Sequence, residues 1–211
     1  MSLTISYNRL RQIGFVPISV LDIGAFRGDW TRLTQTAFPS ASFTMIEGNE
    51  HPELGKVNAR LVREIVSSDV RDVQWWATGG TGDSILRERT HHYSNVTPLT
   101  RRTNTLDLLF PNETFEFIKI DCQGSELDIL RGGVSLVSRA SVLLIECPFS
   151  GQYNEGCPSF SDYISYMNSI GFQPFDISEI HQAGNVTFQI DIIFIRKNSI
   201  YSDRVQKIIS S

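Results

Sequence analysis

Residues 20 to 28 join a short apolar run to the pattern Asp-x-Gly-x-x-x-Gly, and they read VLDIGAFRG. An apolar run that ends in glycines predicts a buried strand, a tight turn and then a helix. Gly24 and Gly28 let the backbone approach a ligand closely, and the start of the following helix presents free N–H groups and a positive dipole end. A second apolar run ends at Glu47. In a βαβ unit this carboxylate lies beside the glycine turn, within reach of both ribose hydroxyls, so the pattern predicts a site for a nucleoside cofactor.

The spacing of the glycines distinguishes between classes of cofactor. A dinucleotide-binding turn counted from Gly24 needs glycine at 26 and 29, where the chain has Phe26 and Asp29. The Gly-Lys-Ser/Thr of a phosphate-binding P-loop is also absent. A bulky Phe and an acidic Asp favour a ligand without phosphate, such as S-adenosylmethionine (SAM), an adenosine that carries a sulfonium and an amino acid. We expect Asp22 to accept a hydrogen bond from its α-ammonium group, directly or through water, and Glu47 to bind its ribose.

The composition is that of an ordinary soluble globular protein, since 41% of the 211 residues are hydrophobic and 20% are charged. This length predicts a single domain over residues 1–211, with its core at about 18–197. A formal net charge of −4 argues against general binding to nucleic acid or to an anionic membrane. No stretch approaches the roughly 20 apolar residues of a transmembrane helix, and the N-terminus lacks the apolar region of a signal peptide. Three cysteines without metal-site spacing indicate reduced thiols and a cytoplasmic protein: Cys122, Cys147 and Cys157.

Apolar runs and helical stretches alternate along the chain, which favours an α/β fold. The predicted strands span residues 18–23, 42–47, 61–67, 115–120, 142–146, 172–177 and 189–196. They predict a seven-stranded, mostly parallel sheet with helices on both faces, whose last two strands are an antiparallel pair joined by a turn at 178–188. Residues 73–77 predict an extra strand or edge hairpin, and 199–211 a short helix or a frayed tail. The polar segment 78–98 has no clear period, and loops of that length tend to be functional or mobile.

Several stretches resemble the FkbM family of SAM-dependent methyltransferases. They occur in family order from about residue 18 to residue 197: VLDIGAFRGDW, MIEGNE, IVSSD, GDSIL, NTLDLL, FIKIDCQGSELDILRGG, LLIEC and IDIIFIRKN. The most specific is IKIDCQGSELDILRGG, with its acid, its Gln-Gly turn and its helix that begins with Glu. The resemblance implies a class I methyltransferase fold, a Rossmann-like three-layer α/β sandwich with a seven-stranded, mostly parallel sheet and an antiparallel last strand. It also implies methyl transfer, mostly to a hydroxyl oxygen.

Carried over residue by residue, the resemblance implies a cofactor site on the first two strands and the turns that follow them. These residues are Asp22, Ile23, Gly24, Ala25, Gly28, Glu47 and Gly48. It further implies that Ser67, Ser68 and Asp69 lie near the adenine. The segment 71–104 matches the family loosely, and Phe26-Arg27 is bulkier than the common family turn. The identity of the acceptor is expected to reside in the loose segment, so the family does not name it.

Methyl transfer to a neutral hydroxyl needs alignment of the acceptor and a base that removes its proton. Asp121 and Glu146 each end an apolar strand, at the sheet edge where open α/β folds bind ligands. Either is a candidate base, and Asp121 is also a candidate counter-charge to the sulfonium. A paired-carboxylate metal site is conceivable, but Cys147 stands where such a site offers an amide oxygen, so we predict no metal. Lys119 is expected to form an ion pair with Glu126.

His92, in the long loop, is the third candidate base because the loop can close over a substrate. His181, in the predicted turn between the last two strands, could also face the site. We therefore predict a cytoplasmic SAM-dependent O-methyltransferase for a small molecule or a saccharide, with no nucleic-acid or membrane partner. The alternatives are an NAD-dependent oxidoreductase and a methyltransferase-like binding module without turnover, and the oligomeric state stays open.

Overall fold

The computed structural model describes residues 2–151 and 153–211, and its main sheet has the seven predicted strands. The strands are β1 (Ser19–Ile23), β2 (Ser42–Ile46), β3 (Arg60–Val62), β4 (Ile65–Val66), β5 (Asp72–Trp75), β6 (Leu99–Asn104), β7 (Phe117–Ile120), β8 (Val142–Pro148), β9 (Phe172–Ala183) and β10 (Val186–Arg196). The helices are α1 (Leu3–Gln12), α2 (Asp29–Ala37), α3 (Leu106–Leu109), α4 (Glu126–Arg131), α5 (Val134–Ser138), α6 (Phe160–Ser169) and α7 (Ile200–Ile209), with 3₁₀ turns at Pro52–Lys56 and His91–Tyr93. The main sheet has the order β3-β2-β1-β7-β8-β10-β9, and only β10 runs opposite to the other strands. This confirms the predicted seven-stranded, mostly parallel sheet with an antiparallel last strand.

Helices cover both faces of the main sheet and complete a three-layer sandwich. Neighbouring residues of a strand point to opposite faces, so Phe117 packs with Tyr7 of α1 whereas Ile118 packs in the core that contains Leu130 of α4. Burying each large apolar side chain stabilises the fold by about 1.5 to 3 kcal/mol. Strands buried on both faces need apolar residues at nearly every position, which makes β7 and β8 recognisable in the sequence.

The predicted third strand, 61–67, is instead two short strands, β3 and β4, separated by the polar residues Arg63 and Glu64. β3 pairs with β2 in the main sheet, whereas β4 belongs to a second sheet with the order β4-β6-β5. β5 confirms the extra strand predicted at 73–77. Its partner β6 reads LTRRTN and is mostly exposed, so it has no apolar pattern that would predict it.

The last hairpin is longer than predicted, because β9 ends at Ala183 and β10 begins at Val186. The predicted turn at 178–188 is therefore wrong, and Glu179 and His181 lie within β9 beside β10. The stretch 199–211 contains helix α7, which begins with a capping box. Within the described part of the chain, no helix combines the length and the apolar character needed to cross a bilayer.

Candidate functional site

The glycine turn after β1 is held between two neighbouring strands. The backbone N–H groups of Gly24 and Ala25 donate to the carbonyl oxygen of Ile46, at the end of β2, over 3.0 and 3.1 Å. On the other side, a Cβ built on Gly24 would lie 1.9 Å from the carbonyl oxygen of Asp121. The φ angle of Gly24 is +75°, in the left-handed region that favours glycine. Both the conformation and the space at this position therefore require glycine.

Glu47 follows β2 and clamps the glycine turn with its buried carboxylate. Its Oε2 accepts a hydrogen bond from the Phe26 N–H at 2.7 Å, and its Oε1 accepts one from the Asn49 N–H at 2.8 Å. Burial raises the pKa of Glu47 above its ordinary value, although these two N–H groups favour the ionised form. A carboxylate offers about four lone-pair sites. The two backbone bonds therefore leave acceptor capacity for the hydroxyl groups of a ligand.

An apolar slot lies next to this carboxylate. It is lined by Ile65 and Val66 of β4 and by Trp75 of β5. The indole N–H of Trp75 donates to Asn49 Oδ1 at 3.1 Å, which fixes the ring. A Cβ on Gly48 would lie 2.9 Å from Ile65 Cγ1, so a side chain at position 48 would crowd the slot. Apolar side chains therefore lie beside a carboxylate that keeps acceptor capacity.

Asp22 and Lys119 form a buried ion pair across β1 and β7, in which they are register partners. The Lys119 Nζ lies 3.3 Å from Asp22 Oδ1 and 3.2 Å from Asp121 Oδ2. Burial alone would lower the pKa of Lys119, but the carboxylates of Asp121 and Asp22 raise it above its ordinary range. The ammonium group is therefore a fixed positive charge between the glycine turn and the end of β7.

This ion pair corrects two expectations from the sequence. The side chain of Asp22 has no exposed surface, and its Oδ2 accepts a hydrogen bond from the Thr31 hydroxyl at 2.6 Å. Asp22 therefore contacts Lys119, and the expected direct hydrogen bond to a ligand is wrong. The expected pairing of Lys119 with Glu126 is also wrong. Glu126 accepts hydrogen bonds from two backbone N–H groups of its own turn, at 2.8 and 3.1 Å, and from the hydroxyl of Tyr163.

A cavity of about 1130 Å³ opens at the carboxyl ends of β1, β7 and β8. Ligand pockets usually measure about 300 to 1,000 Å³, so this volume suits a cofactor and an acceptor together. The predicted site residues that line it are Ile23, Gly24, Ala25, Glu47, Gly48, His92, Asp121 and Glu146. The structure therefore brings the three predicted catalytic residues and half of the predicted cofactor residues to one cavity.

The other predicted cofactor residues lie outside this lining. Gly28 is the N-cap of α2, and Ser67 is fully buried. The hydroxyl of Ser68 donates to Asp69 Oδ1 at 2.9 Å, and neither side chain lines the cavity. Residues 64–66 line it instead, because β4 ends before the residues that the family resemblance indicated.

The candidate catalytic carboxylates, Asp121 and Glu146, are joined by the amide of Gln123. Its Nε2 donates to Asp121 Oδ1 at 3.0 Å and to Glu146 Oε2 at 2.8 Å. Burial opposes the charge on Asp121, but Lys119 holds the pKa of Asp121 below its ordinary value. Burial and the charge of Asp121 raise the pKa of Glu146 well above its ordinary value. The pair therefore separates into an ionised Asp121 and a Glu146 that favours its neutral form.

Two histidines line the cavity. His92 lies on a 3₁₀ turn, where its ring is 3.9 Å from the ring of His91. His181 lies on β9, and its Nε2 is 3.5 Å from Asp191 Oδ1. The sequence predicted a turn at His181, whereas the structure places it in β9, where it pairs with Gln189 of β10. Other lining residues that the sequence analysis did not identify include Asn49, Tyr153 and Gln189.

The long segment 78–98 forms a wall of the cavity and is held by Asp83. Its Oδ1 accepts hydrogen bonds from the Thr78 N–H at 2.8 Å and from the Tyr93 hydroxyl at 2.6 Å. Its Oδ2 accepts hydrogen bonds from the Gly79 N–H and the Asn49 amide, each at 2.8 Å. Asn49 thus connects this wall to the Glu47 carboxylate.

Among the described residues, one group has the ligand types and the spacing of a metal site. It consists of Glu179, His181 and Asp191, whose ligand atoms lie within 4.8 Å of one another. The group lies on the last hairpin and differs from the paired carboxylates considered from the sequence. Between Asp121 and Glu146, the donor amide of Gln123 takes the place that a bridging cation would need.

One protein family matches most of the chain. Residues 22–174 match the family model described as the methyltransferase FkbM domain. This span contains the glycine turn, Glu47, Asp121 and Glu146. No curated protein matches the chain.

Solved structures share the fold at low sequence identity. The 1,6-didemethyltoxoflavin-N1-methyltransferase of Burkholderia thailandensis, with bound 1,6-didemethyltoxoflavin and S-adenosylhomocysteine (SAH), has a TM-score of 0.53 and 13% identity over 92% of this chain and 78% of that chain. The methyltransferase FkbM of Methylobacillus flagellatus KT has a TM-score of 0.54 and 14% identity over 86% of this chain and 45% of that chain. The magnesium protoporphyrin IX methyltransferase of Synechocystis PCC 6803, with bound SAM, has a TM-score of 0.55 and 10% identity over 92% of this chain and 76% of that chain. At these identities the likeness shows the fold alone.

Proposed function

This chain belongs to the FkbM family of SAM-dependent methyltransferases, and we propose on that premise that it methylates a hydroxyl group of a small molecule or a saccharide. The family match over residues 22–174 makes SAM the cofactor and removes the NAD-dependent oxidoreductase from the alternatives. SAM supplies an electrophilic methyl carbon on a sulfonium sulfur. What we propose beyond the family is the class of acceptor, a small molecule or a saccharide, and its attacking atom, a hydroxyl oxygen.

The observation that carries this proposal is that the three titratable side chains considered as bases line one cavity. Asp121 follows β7, Glu146 lies within β8 and His92 lies on a 3₁₀ turn, and all three line the cavity. A neutral hydroxyl must lose its proton as its oxygen attacks, and a base within hydrogen-bond reach accelerates this step. A neutral amine attacks with a lone pair that is already free and has less need of such groups. The lining therefore favours a hydroxyl acceptor.

We assign SAM to the half of the cavity that contains the glycine turn. Glu47 would accept hydrogen bonds from the ribose hydroxyls, because its carboxylate keeps acceptor capacity. Ile65 and Trp75 would contact the adenine. Gly24 and Gly48 would leave the space that side chains would fill.

We assign the acceptor to the other half, beside the strand ends. The ionised Asp121 would face the positive sulfonium, and Glu146 and His92 would contact the acceptor. Asp22 would act indirectly, by fixing Lys119 behind the glycine turn. The support for these roles is the shared cavity and the opposite pKa shifts of Asp121 and Glu146.

We further propose that residues 1–211 form a single domain with its core at about 18–197, and that the protein works in the cytoplasm. Support for a reducing compartment comes from the free thiols of Cys122, Cys147 and Cys157. We also propose that the protein binds neither nucleic acid nor a membrane.

The proposed function is tested by transfer of tritium from methyl-labelled SAM to paired acceptors. The pairs are phenols with the corresponding anilines, and monosaccharides with their deoxy derivatives. We expect label in a hydroxyl compound and none in the partner that lacks that hydroxyl. Label confined to amines would contradict O-methylation. Binding of SAH without transfer to any acceptor would favour the second candidate, a non-catalytic binding module.

A further inference from the structure

His181 and Asp191 form an imidazole–carboxylate pair on the wall of the cavity. The His181 Nε2 lies 3.5 Å from Asp191 Oδ1, on the adjacent strand β10. Both atoms are shielded from solvent, and neither makes a hydrogen bond among the described residues, so their contact is an ion-pair contact. Since Nε2 faces the carboxylate, a ligand in the cavity that His181 lines would have to use the other ring nitrogen, Nδ1.

The pair extends a row of polar side chains that crosses the sheet at the strand ends. Glu146 of β8 is the register partner of Asp191, which is in turn the register partner of Glu179 on β9. Register partners on antiparallel strands point to the same face of a sheet. Gln189, the register partner of His181, donates a hydrogen bond to the carboxylate of Glu146. His181 therefore lies on the same face of the sheet as Glu146, the carboxylate assigned to the acceptor, and both line the cavity.

The other candidate bases have different surroundings. Asp121 is ion-paired with Lys119, which stabilises its charge and makes it a weaker base. Glu146 accepts amide hydrogen bonds at both of its oxygens. Within residues 2–151 and 153–211, no carboxylate lies within ion-pair distance of His92, whereas His181 has such a partner.

We propose that His181 is the general base of methyl transfer and that Asp191 is the positioning residue that holds its imidazole. This inference rests on the proposed function, the methylation of a hydroxyl. The hydroxyl proton passes to Nδ1 of His181, the oxygen bonds to the methyl carbon, and the electron pair of the broken carbon–sulfur bond stays on sulfur. The products are a methyl ether, SAH and an imidazolium that later releases its proton to water. Asp191 stabilises that imidazolium, as a buried carboxylate does in a catalytic triad.

The charged groups that face His181 come from several strands. Glu179 on the same strand lies 3.9 Å away, Asp191 lies on β10, Asp121 follows β7, and Glu146 on β8 borders Asp191. The close contact with Asp191 raises the pKa of His181 most, burial opposes it, and the charges of Asp191, Glu179 and Asp121 raise it further. The neutral imidazole, which is the form that accepts a proton, is therefore reached at higher pH than in an ordinary histidine. The rate should rise with pH through this pKa.

The first test compares His181→Gln with His91→Gln, whose ring is exposed and does not line the cavity. The probe is the hydroxyl compound that the wild-type protein labels best with tritiated SAM. We expect kcat to fall by about 10² to 10⁴-fold in His181→Gln, with unchanged SAH affinity, and to stay at the wild-type level in His91→Gln. A kcat within about threefold of wild type in His181→Gln would overturn the proposal, as would a larger loss in His92→Gln.

The second test follows the pH profile of Asp191→Asn. Loss of the Asp191 charge lowers the pKa of His181, so the ascending limb of the kcat/KM profile should move to lower pH, which a packing defect would not cause. An unmoved limb would overturn the positioning role. The rate of methyl transfer should be unchanged in EDTA. If EDTA abolishes activity and a divalent cation restores it, these side chains hold a metal, and the role of His181 as the base is overturned. A wild-type protein that binds SAH but labels no acceptor would instead overturn the proposed function, and the role of His181 with it.

Discussion

A Cβ on Gly24 would lie 1.9 Å from the carbonyl oxygen of Asp121. The turn assigned to the cofactor and the strand end assigned to the chemistry are therefore in direct contact. Lys119 reinforces this contact, because its Nζ donates to the Gly24 carbonyl at 2.9 Å and lies 3.2 Å from the Asp121 carboxylate. A change at the turn is therefore expected to disturb the strand end.

Gly24→Ala tests this contact, with Gly79→Ala as the matched control. The φ angles are +75° and +81°, but a Cβ on Gly79 would meet nothing within 4 Å. Alanine in the left-handed region costs about 1 to 2 kcal/mol at either position. Overpacking against Asp121 should add about 1 to 3 kcal/mol at Gly24 alone. Urea denaturation measures the two losses, and equal losses would show that the close contact does not exist.

Lys119→Met should lower the free energy of unfolding by about 3 to 5 kcal/mol, because it leaves the Asp22 carboxylate buried without a compensating charge. The side chains of Asp22 and Lys119 are 0% and 8% exposed. The double variant Asp22→Asn with Lys119→Met should recover part of the loss, since it removes both charges. Chemical denaturation of both single variants and the double variant gives the coupling energy. Strictly additive effects would contradict the ion pair.

Glu126 should make stability fall as pH rises. Burial raises the pKa of Glu126 from 4.5 to about 7, against the opposing effect of its hydrogen bonds. Between these two pKa values the folded state binds more protons than the unfolded state. The contribution of Glu126 to the free energy of unfolding is therefore present below pH 4.5 and is lost as the pH rises through about 7. Relative to Glu126→Gln, the wild type should lose about 1 to 3 kcal/mol across this window. Urea denaturation at several pH values checks this, and parallel curves for the two proteins would refute it.

Strands buried on both faces could be predicted from the sequence, because nearly every position in them must be apolar. β7 and β8 show such runs, with Asp121 directly after β7 and Glu146 within β8, so both acids could be identified. The neighbours of each strand in the sheet could not be predicted, because the pattern of residues within a strand does not specify the order of the strands. Lys119 pairs with Asp22 because β7 lies beside β1, and the predicted pairing with Glu126 used only positions close in the chain.

Strands that border the cavity were harder to predict, because a face that meets a polar ligand carries polar side chains. In β9, Glu179 and His181 interrupt the apolar pattern and resemble a turn. Arg63 and Glu64 break the third predicted strand for a similar reason, and Glu64 lines the cavity. The pattern that indicates a strand is therefore weakest where the candidate site lies.

Glu47→Ala should weaken SAH binding by about 1 to 3 kcal/mol, the cost of a lost charge-assisted hydrogen bond. The matched control is Glu50→Ala, because Glu50 is exposed and does not line the cavity. Glu47 also clamps the Phe26 and Asn49 N–H groups, so thermal denaturation should accompany the titration. Full SAH affinity in Glu47→Ala would show that the ribose assignment is wrong.

The central claim is that the cavity beside the glycine turn binds the nucleoside of SAM. Calorimetric titration of the wild-type protein with SAH, and separately with NAD⁺, tests it most directly. We predict SAH binding with a Kd on the order of micromolar and no heat from NAD⁺. Binding of neither ligand, or of NAD⁺ alone, would contradict the claim.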